Sequence, residues 1–205
     1  MNPSSLQLDR IEYSTVKVAA VEDYSAQTHE VFPQLDFDFD GLHVKAKSLL
    51  FYPDSEAHDP RHFIFEYGIL IDPKESSASV PYSVEIEARA FMLYCGDQLS
   101  GADRFRAVRF SGYQIIYGAM REMVCNITSR SPHGLWMLPA RNFNGLAAEK
   151  SKEDEVERLK MVERLGLPRR IAAPEEAAIV EHGPVEPARK AASAKKPRAS
   201  KKQSG

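Results

Sequence analysis

Hydrophobic and polar positions alternate through four stretches in the first half of the chain, and a two-residue period predicts strands. Over 6–21, Leu6 and Leu8 share one face while Ile11 and Tyr13 fall in the other register. The phase slips near Asp9–Arg10 and predicts a β-bulge there. Over 36–52, Phe37 and Phe39 alternate with Asp36, Asp38 and Asp40. The phase changes at Gly41, after which Leu42, Val44 and Ala46 form the inward set. Over 61–72, Phe63, Phe65, Tyr67, Ile69 and Ile71 line one face, and over 80–95 Val84, Ile86, Ala88, Ala90 and Met92 do the same. Short connections between these stretches predict an antiparallel sheet.

The period then lengthens. Ile115, Ile116, Tyr117, Ala119, Met120, Met123, Val124 and Ile127 recur at helical spacing and sweep about 200° of arc. Ser111 is a suitable N-cap, whereas Arg104, Arg106 and Arg109 would crowd the positive end of a helix dipole, so the helix is placed from Ser111 to Ser129. Pro132 and Gly134 end it. A helix lying on one sheet needs about half that arc. The surplus predicts a second contact, either another subunit or a client. Next comes Leu135-Trp136-Met137-Leu138, which reads either as core closure beneath a second helix or as adaptable contact surface. The second helix starts at Asn144 or at Ser151, where Asp154 approximates a capping box, and Gly166-Leu167-Pro168 ends it. Val156, Leu159, Val162 and Leu165 give it only a narrow apolar seam, which predicts light packing. The fold class expected is α+β, a four-stranded antiparallel sheet followed by two helices. The expected divisions are a domain over 1–148, a charged helix over 149–167, and a disordered Ala/Pro/Lys-rich tail over 168–205.

The 205 residues suffice for one domain plus appendages. Net charge is only −2, but it is unevenly placed. Residues 1–150 carry 14 Lys and Arg against 20 Asp and Glu, while 189–205 carry seven basic residues and no acid. The tail therefore suits an anionic partner or a solubilising tether. Cys95 and Cys125 form no Cys-x-x-Cys pair and read as reduced thiols in a cytoplasm. No apolar run approaches a membrane span, and no signal-peptide pattern opens the chain.

Candidate chemistry is sparse. His58, Asp59 and His62 fall close together, but a metal needs three or four ligands in fixed geometry, and solvated hairpin-loop residues explain them equally well. Asn126-Ile127-Thr128 matches a glycosylation pattern but falls within the helix. There is no Gly-rich phosphate loop, no Gly-x-Ser-x-Gly and no His-Glu-x-x-His, so no enzyme, metal or cofactor is expected.

Several stretches resemble the SecB family of export chaperones. They are Leu6-Gln-Leu-Asp-Arg-Ile, Leu35-Asp-Phe-Asp-Phe-Asp, the helix Gln114–Ser131 with Arg121-Glu122 and Ser129-Arg130, and Leu135-Trp-Met-Leu-Pro-Ala-Arg-Asn-Phe. The resemblance covers about residues 6–146. It implies a homotetramer, a dimer of dimers, that holds unfolded preproteins in hydrophobic grooves for export without ATP or cofactor. The client groove it implies is lined by Phe37, Phe39, Leu42, Val44, Leu135, Trp136, Met137, Leu138 and Phe143. The helix's extra face, with Ile116, Met120, Met123, Val124 and Ile127, becomes the subunit interface. Glu85 matches one acid through which the family meets its translocation ATPase, SecA. Thr15 and Ala19 stand where two further acids are expected, and the basic tail has no counterpart. These departures leave open a narrower role with one dedicated partner, such as an antitoxin.

Overall fold

The structure is a computed structural model that describes residues 5–25, 39, 41–76 and 79–167. All of them fall in one compact unit, Met1–Ala172. Phe37, Asp36, Asp38, Asp40 and the tail 168–205 lie outside the described residues.

Four strands form one antiparallel sheet: β1 (Leu6–Ala20), β2 (Val44–Phe51), β3 (His62–Ile71) and β4 (Tyr82–Tyr94), in the spatial order β1-β4-β3-β2. Strict alternation puts Phe63, Phe65, Tyr67, Ile69 and Ile71 of β3 beside Val84, Ile86, Ala88, Ala90 and Met92 of β4 on one buried face. The ladder between β1 and β4 shifts register between Leu8 and Arg10, where the phase slip predicts a bulge. A second shift lies between Tyr13 and Thr15. The second strand begins only at Val44; Gly41 takes a positive φ of 80° in the turn before it.

Helix α1 (Gly101–Thr128) packs on the buried face, and α2 (Asn144–Arg164) packs on α1. Gly112 lets α1 approach closely, since a Cβ there would sit 2.6 Å from Phe65 Cδ1. Helix α1 starts ten residues before Ser111, in spite of its arginines. The Arg104 guanidinium donates to Asp59 at 2.7 Å, to the Pro60 carbonyl at 2.8 Å and to the Leu99 carbonyl at 2.9 Å. Arg109 donates twice to Asp154, at 2.5 and 2.6 Å. Partners far away in sequence thus neutralise charges that would otherwise oppose the helix dipole.

Helix α2 is continuous from Asn144, so it crosses the expected division at 148/149. Ser151 and Asp154 are not its cap; both are buried inside it. Its contact with α1 is charged rather than a thin apolar seam. Val156, Leu159 and Leu165 are exposed and only Val162 of that set is buried.

Candidate functional site

The segment after α1 is built as a strap. Gly134, with φ of 75°, turns the chain back along the helix. The Tyr82 hydroxyl donates to the Gly134 carbonyl at 2.8 Å. The Trp136 amide donates to Thr128 Oγ1 at 2.9 Å, and Thr128 Oγ1 donates to the Val124 carbonyl at 2.8 Å. Further along, Arg121 Nε donates to the Leu138 carbonyl at 2.9 Å and the Tyr117 hydroxyl to the Pro139 carbonyl at 2.6 Å. Phe143 closes the strap, stacked on Tyr113 with ring centres 5.0 Å apart. The partners Thr128, Arg121, Tyr117 and Tyr113 step backward along α1 as the strap advances.

An extended chain pinned this way sends alternate side chains to opposite sides. Trp136 and Leu138 enter the core, at 2% and 1% exposure, and Phe143 is buried with them. Leu135 and Met137 point away, at 51% and 44%. Leu135–Leu138 thus divides into alternate residues, Trp136 and Leu138 in the core and Leu135 and Met137 on the surface. As candidate groove residues Trp136, Leu138 and Phe143 are corrected: they are core of the chain itself, packed against Tyr82 and Tyr113, and offer a client no free surface. All four residues of Leu135–Leu138 are apolar, so the sequence carries no signal that separates Trp136 and Leu138 from Leu135 and Met137.

Across the core edge, Phe39, Leu42 and Val44 are half-buried against the cluster. The Leu42 amide donates to the Phe39 carbonyl at 3.1 Å, which shapes the turn into β2. The strap's end reaches the sheet opposite the middle of β2: Phe143 lies edge-on to Tyr67 at 6.0 Å, and Tyr67 pairs with Ser48 of β2. Burial pushes the Tyr117 hydroxyl, which anchors the strap, up to about 12.

The proposed interface residues also separate. Ile116, Met120 and Val124 are fully buried against the sheet, so they are corrected to core. Met123 and Ile127 are half-exposed and belong with Ile115 and Ala119 to a second row at four-residue spacing. The wide apolar arc is therefore two stripes, only one of which is left over.

The outer sheet face is a ladder of ion pairs. Glu85 accepts from Lys17 at 2.8 Å, Glu87 pairs with Lys47, and Glu66 pairs with Arg89 at 3.1 Å. At one end the ladder gives way to Phe51, Ile64, Phe91 and Leu93 around a concavity of about 620 Å³, with the Arg10 guanidinium 4.1 Å from the Phe91 ring centre. Asp59 bonds Arg61 and Arg104, and His62 Nδ1 is 2.6 Å from Glu56, so the histidine-rich loop is an ion-pair network. Burial opposes charge on Asp59, but the two arginines outweigh it and hold its carboxyl below the usual range. Among the described residues no group of His, Cys, Asp and Glu is placed to hold a metal ion.

No family model matches the chain, and no curated protein matches it. Solved structures with a similar course of chain include the Mycobacterium tuberculosis SecB-like chaperone Rv1957, described in complex with a ChAD peptide from the Rv1956 HigA1 antitoxin. That likeness has 12% identity and a TM-score of 0.44, and covers 67% of this chain and 88% of that one. A Streptococcus agalactiae protein of unknown function is similar at 6% identity and a TM-score of 0.39, covering 66% of this chain and 97% of that one.

Proposed function

We propose that this chain is a nucleotide-independent holdase for unfolded polypeptide. Its client strip joins Leu135 and Met137 of the strap to Phe39, Leu42 and Val44 at the start of β2, with Phe37 beside them in the sequence. The observation that carries this reading is that two large apolar side chains stay exposed on a strap whose backbone is pinned at Gly134, Trp136, Leu138 and Pro139. Single exposed apolar residues are ordinary on protein surfaces. Two held in register on a rigid strap are ready to bind, because little conformational entropy is left to lose. Apolar contact at about 25 cal/mol per Å² gives affinity without sequence specificity, as a chaperone for many clients needs.

In this reading the chain is cytoplasmic and assembles as a homotetramer through the row Ile115, Ala119, Met123 and Ile127. The basic residues 189–205 offer a contact to an anionic partner. Delivery of preproteins to the translocation ATPase SecA through Glu85 would have to displace Lys17. The paired, near-neutral outer face thus favours the narrower role, a chaperone for one dedicated partner such as an antitoxin.

The test is aggregation suppression of a chemically unfolded client by the purified full chain without nucleotide, with native mass measured alongside. Protection near one client per assembly supports the reading, and no protection at stoichiometric ratio refutes it. Pull-down from cells separates the two roles: many precursors support general export, one stoichiometric partner the dedicated role.

A further inference from the structure

The strap carries positive charge that the described residues leave unanswered. No Asp or Glu occurs between Glu122 and Glu149, while Arg130 and Arg141 lie inside that stretch and Arg121 stands at its edge. In a chain that is acidic over 1–150, this is a local reversal of sign. On the outer sheet face Lys17, Lys47 and Arg89 each meet a carboxylate, and on the helical side Arg104, Arg109 and Arg158 do the same. Among the described residues no ion pair includes Arg121, Arg130 or Arg141.

Two of these three arginines are built into the strap. Arg121 spends only Nε, on the Leu138 carbonyl at 2.9 Å, and its two terminal nitrogens carry no hydrogen bond among the described residues. The pin therefore holds a half-buried guanidinium one residue past the exposed Met137. Arg141 reaches back from the strap, with Nη1 3.5 Å from the Tyr67 hydroxyl. Tyr67 lies edge-on to Tyr117, ring centres 6.5 Å apart, and the Tyr117 hydroxyl donates to the Pro139 carbonyl at 2.6 Å. The two arginines thus bracket Pro139 along the strap, and the charges of both oppose the burial that raises the Tyr117 hydroxyl. A planar guanidinium with both terminal nitrogens open matches a carboxylate in bidentate geometry. An extended segment laid along an extended strap repeats its period of two.

We propose that the strap selects its polypeptide by charge: it takes an extended segment with two apolar residues at alternate positions, over Leu135 and Met137, and an acidic residue two positions further on, held by the open edge of Arg121 with Arg141 beside it. This rests on the polypeptide-binding reading above and adds an acid preference to it. A bare polyanion would leave Leu135 and Met137 uncovered, so it fits the site less well.

The experiment compares three fluorescent peptides of one length by anisotropy on the full chain: a repeat of Phe-Ser-Phe-Ser-Glu, the same with Gln for Glu, and the same with Ser for both Phe. Fluorescent reduced, carboxymethylated α-lactalbumin, a permanently unfolded probe, is run alongside. The Glu repeat should bind about fivefold tighter than the Gln repeat at low salt, as a partly exposed ion pair allows, and the repeat without Phe should not bind. High salt should bring the ratio of the two affinities towards one. The double change Arg121→Gln with Arg141→Gln should do so too. Because a loosened strap weakens both Phe repeats alike, the ratio reads the charge preference even in a destabilised variant. A ratio of one in the native protein, a ratio indifferent to salt, or one that the double variant keeps overturns the acid preference and leaves polypeptide binding standing. So does a probe that binds where neither Phe repeat does. Binding of the repeat without Phe as tight as that of the full repeat overturns the inference in favour of a plain polyanion site. Failure of the Phe repeats and of the unfolded probe together overturns both the inference and the polypeptide-binding reading.

Discussion

Changing Leu135 and Met137 together to serine should remove client affinity and leave the fold alone, while Trp136→Ala should do the reverse. Fully burying a large apolar side chain is worth about 1.5–3 kcal/mol. Leu135 and Met137 are 51% and 44% exposed, so a client can cover about half of each. That is about 1 kcal/mol apiece and about 2 kcal/mol together, or about 30-fold in Kd. Neither change leaves a cavity, so stability should move by under about 0.5 kcal/mol. Trp136 is 2% exposed against Tyr82, and its truncation should cost about 3–5 kcal/mol. In a chain of this size that lowers Tm on the order of 10 °C. Anisotropy with the unfolded probe and thermal denaturation, run on the same samples, read both quantities. Unchanged affinity in L135S/M137S would defeat the reasoning, as would a loss of Tm in that variant equal to that of W136A.

Three further outcomes follow from the same contacts. Gly112→Ala should destabilise by about 1–3 kcal/mol, because the new Cβ meets Phe65 at 2.6 Å; a gain in denaturant midpoint, which helix propensity alone predicts, would count against the close approach. Thr128→Val should cost about 1–3 kcal/mol by stranding the Trp136 amide, with Thr128→Ser largely restoring the urea midpoint. The raised Tyr117 hydroxyl favours the neutral form in the fold, so its stability contribution is whole below about pH 10 and is lost as pH climbs towards about 12; ultraviolet titration in which every tyrosine ionises near 10 would contradict this.

The sheet was readable because period two is local information. Phe63 to Ile71 and Val84 to Met92 each declare a face without knowing their neighbours, and the slip after Leu8 betrays its bulge. The start of α1 was not readable. Arg104 and Arg109 look hostile to a helix N-terminus until Asp59 and Asp154 arrive from 45 residues away in each direction. The same distance hid the underside of α2, where Asp154 and Arg158 look like solvated charges and are buried clasps. At the strap, composition identified the segment but not its two sides. Leu135 to Leu138 is uniformly apolar, so only the pins on the backbone decide that Trp136 and Leu138 go in and Leu135 and Met137 stay out. The helix arc failed in the same way: width was visible, but its division into a core row through Ile116 and a spare row through Ile115 needed the sheet's position.

The most direct measurement is a photo-cross-linking amino acid placed at Met137 of the full chain, irradiated with reduced, carboxymethylated α-lactalbumin and, separately, with the native form. A strap that holds unfolded chain predicts a cross-link to the unfolded form without nucleotide and none to the native one. No cross-link from position 137, or equal capture of both forms, would contradict it.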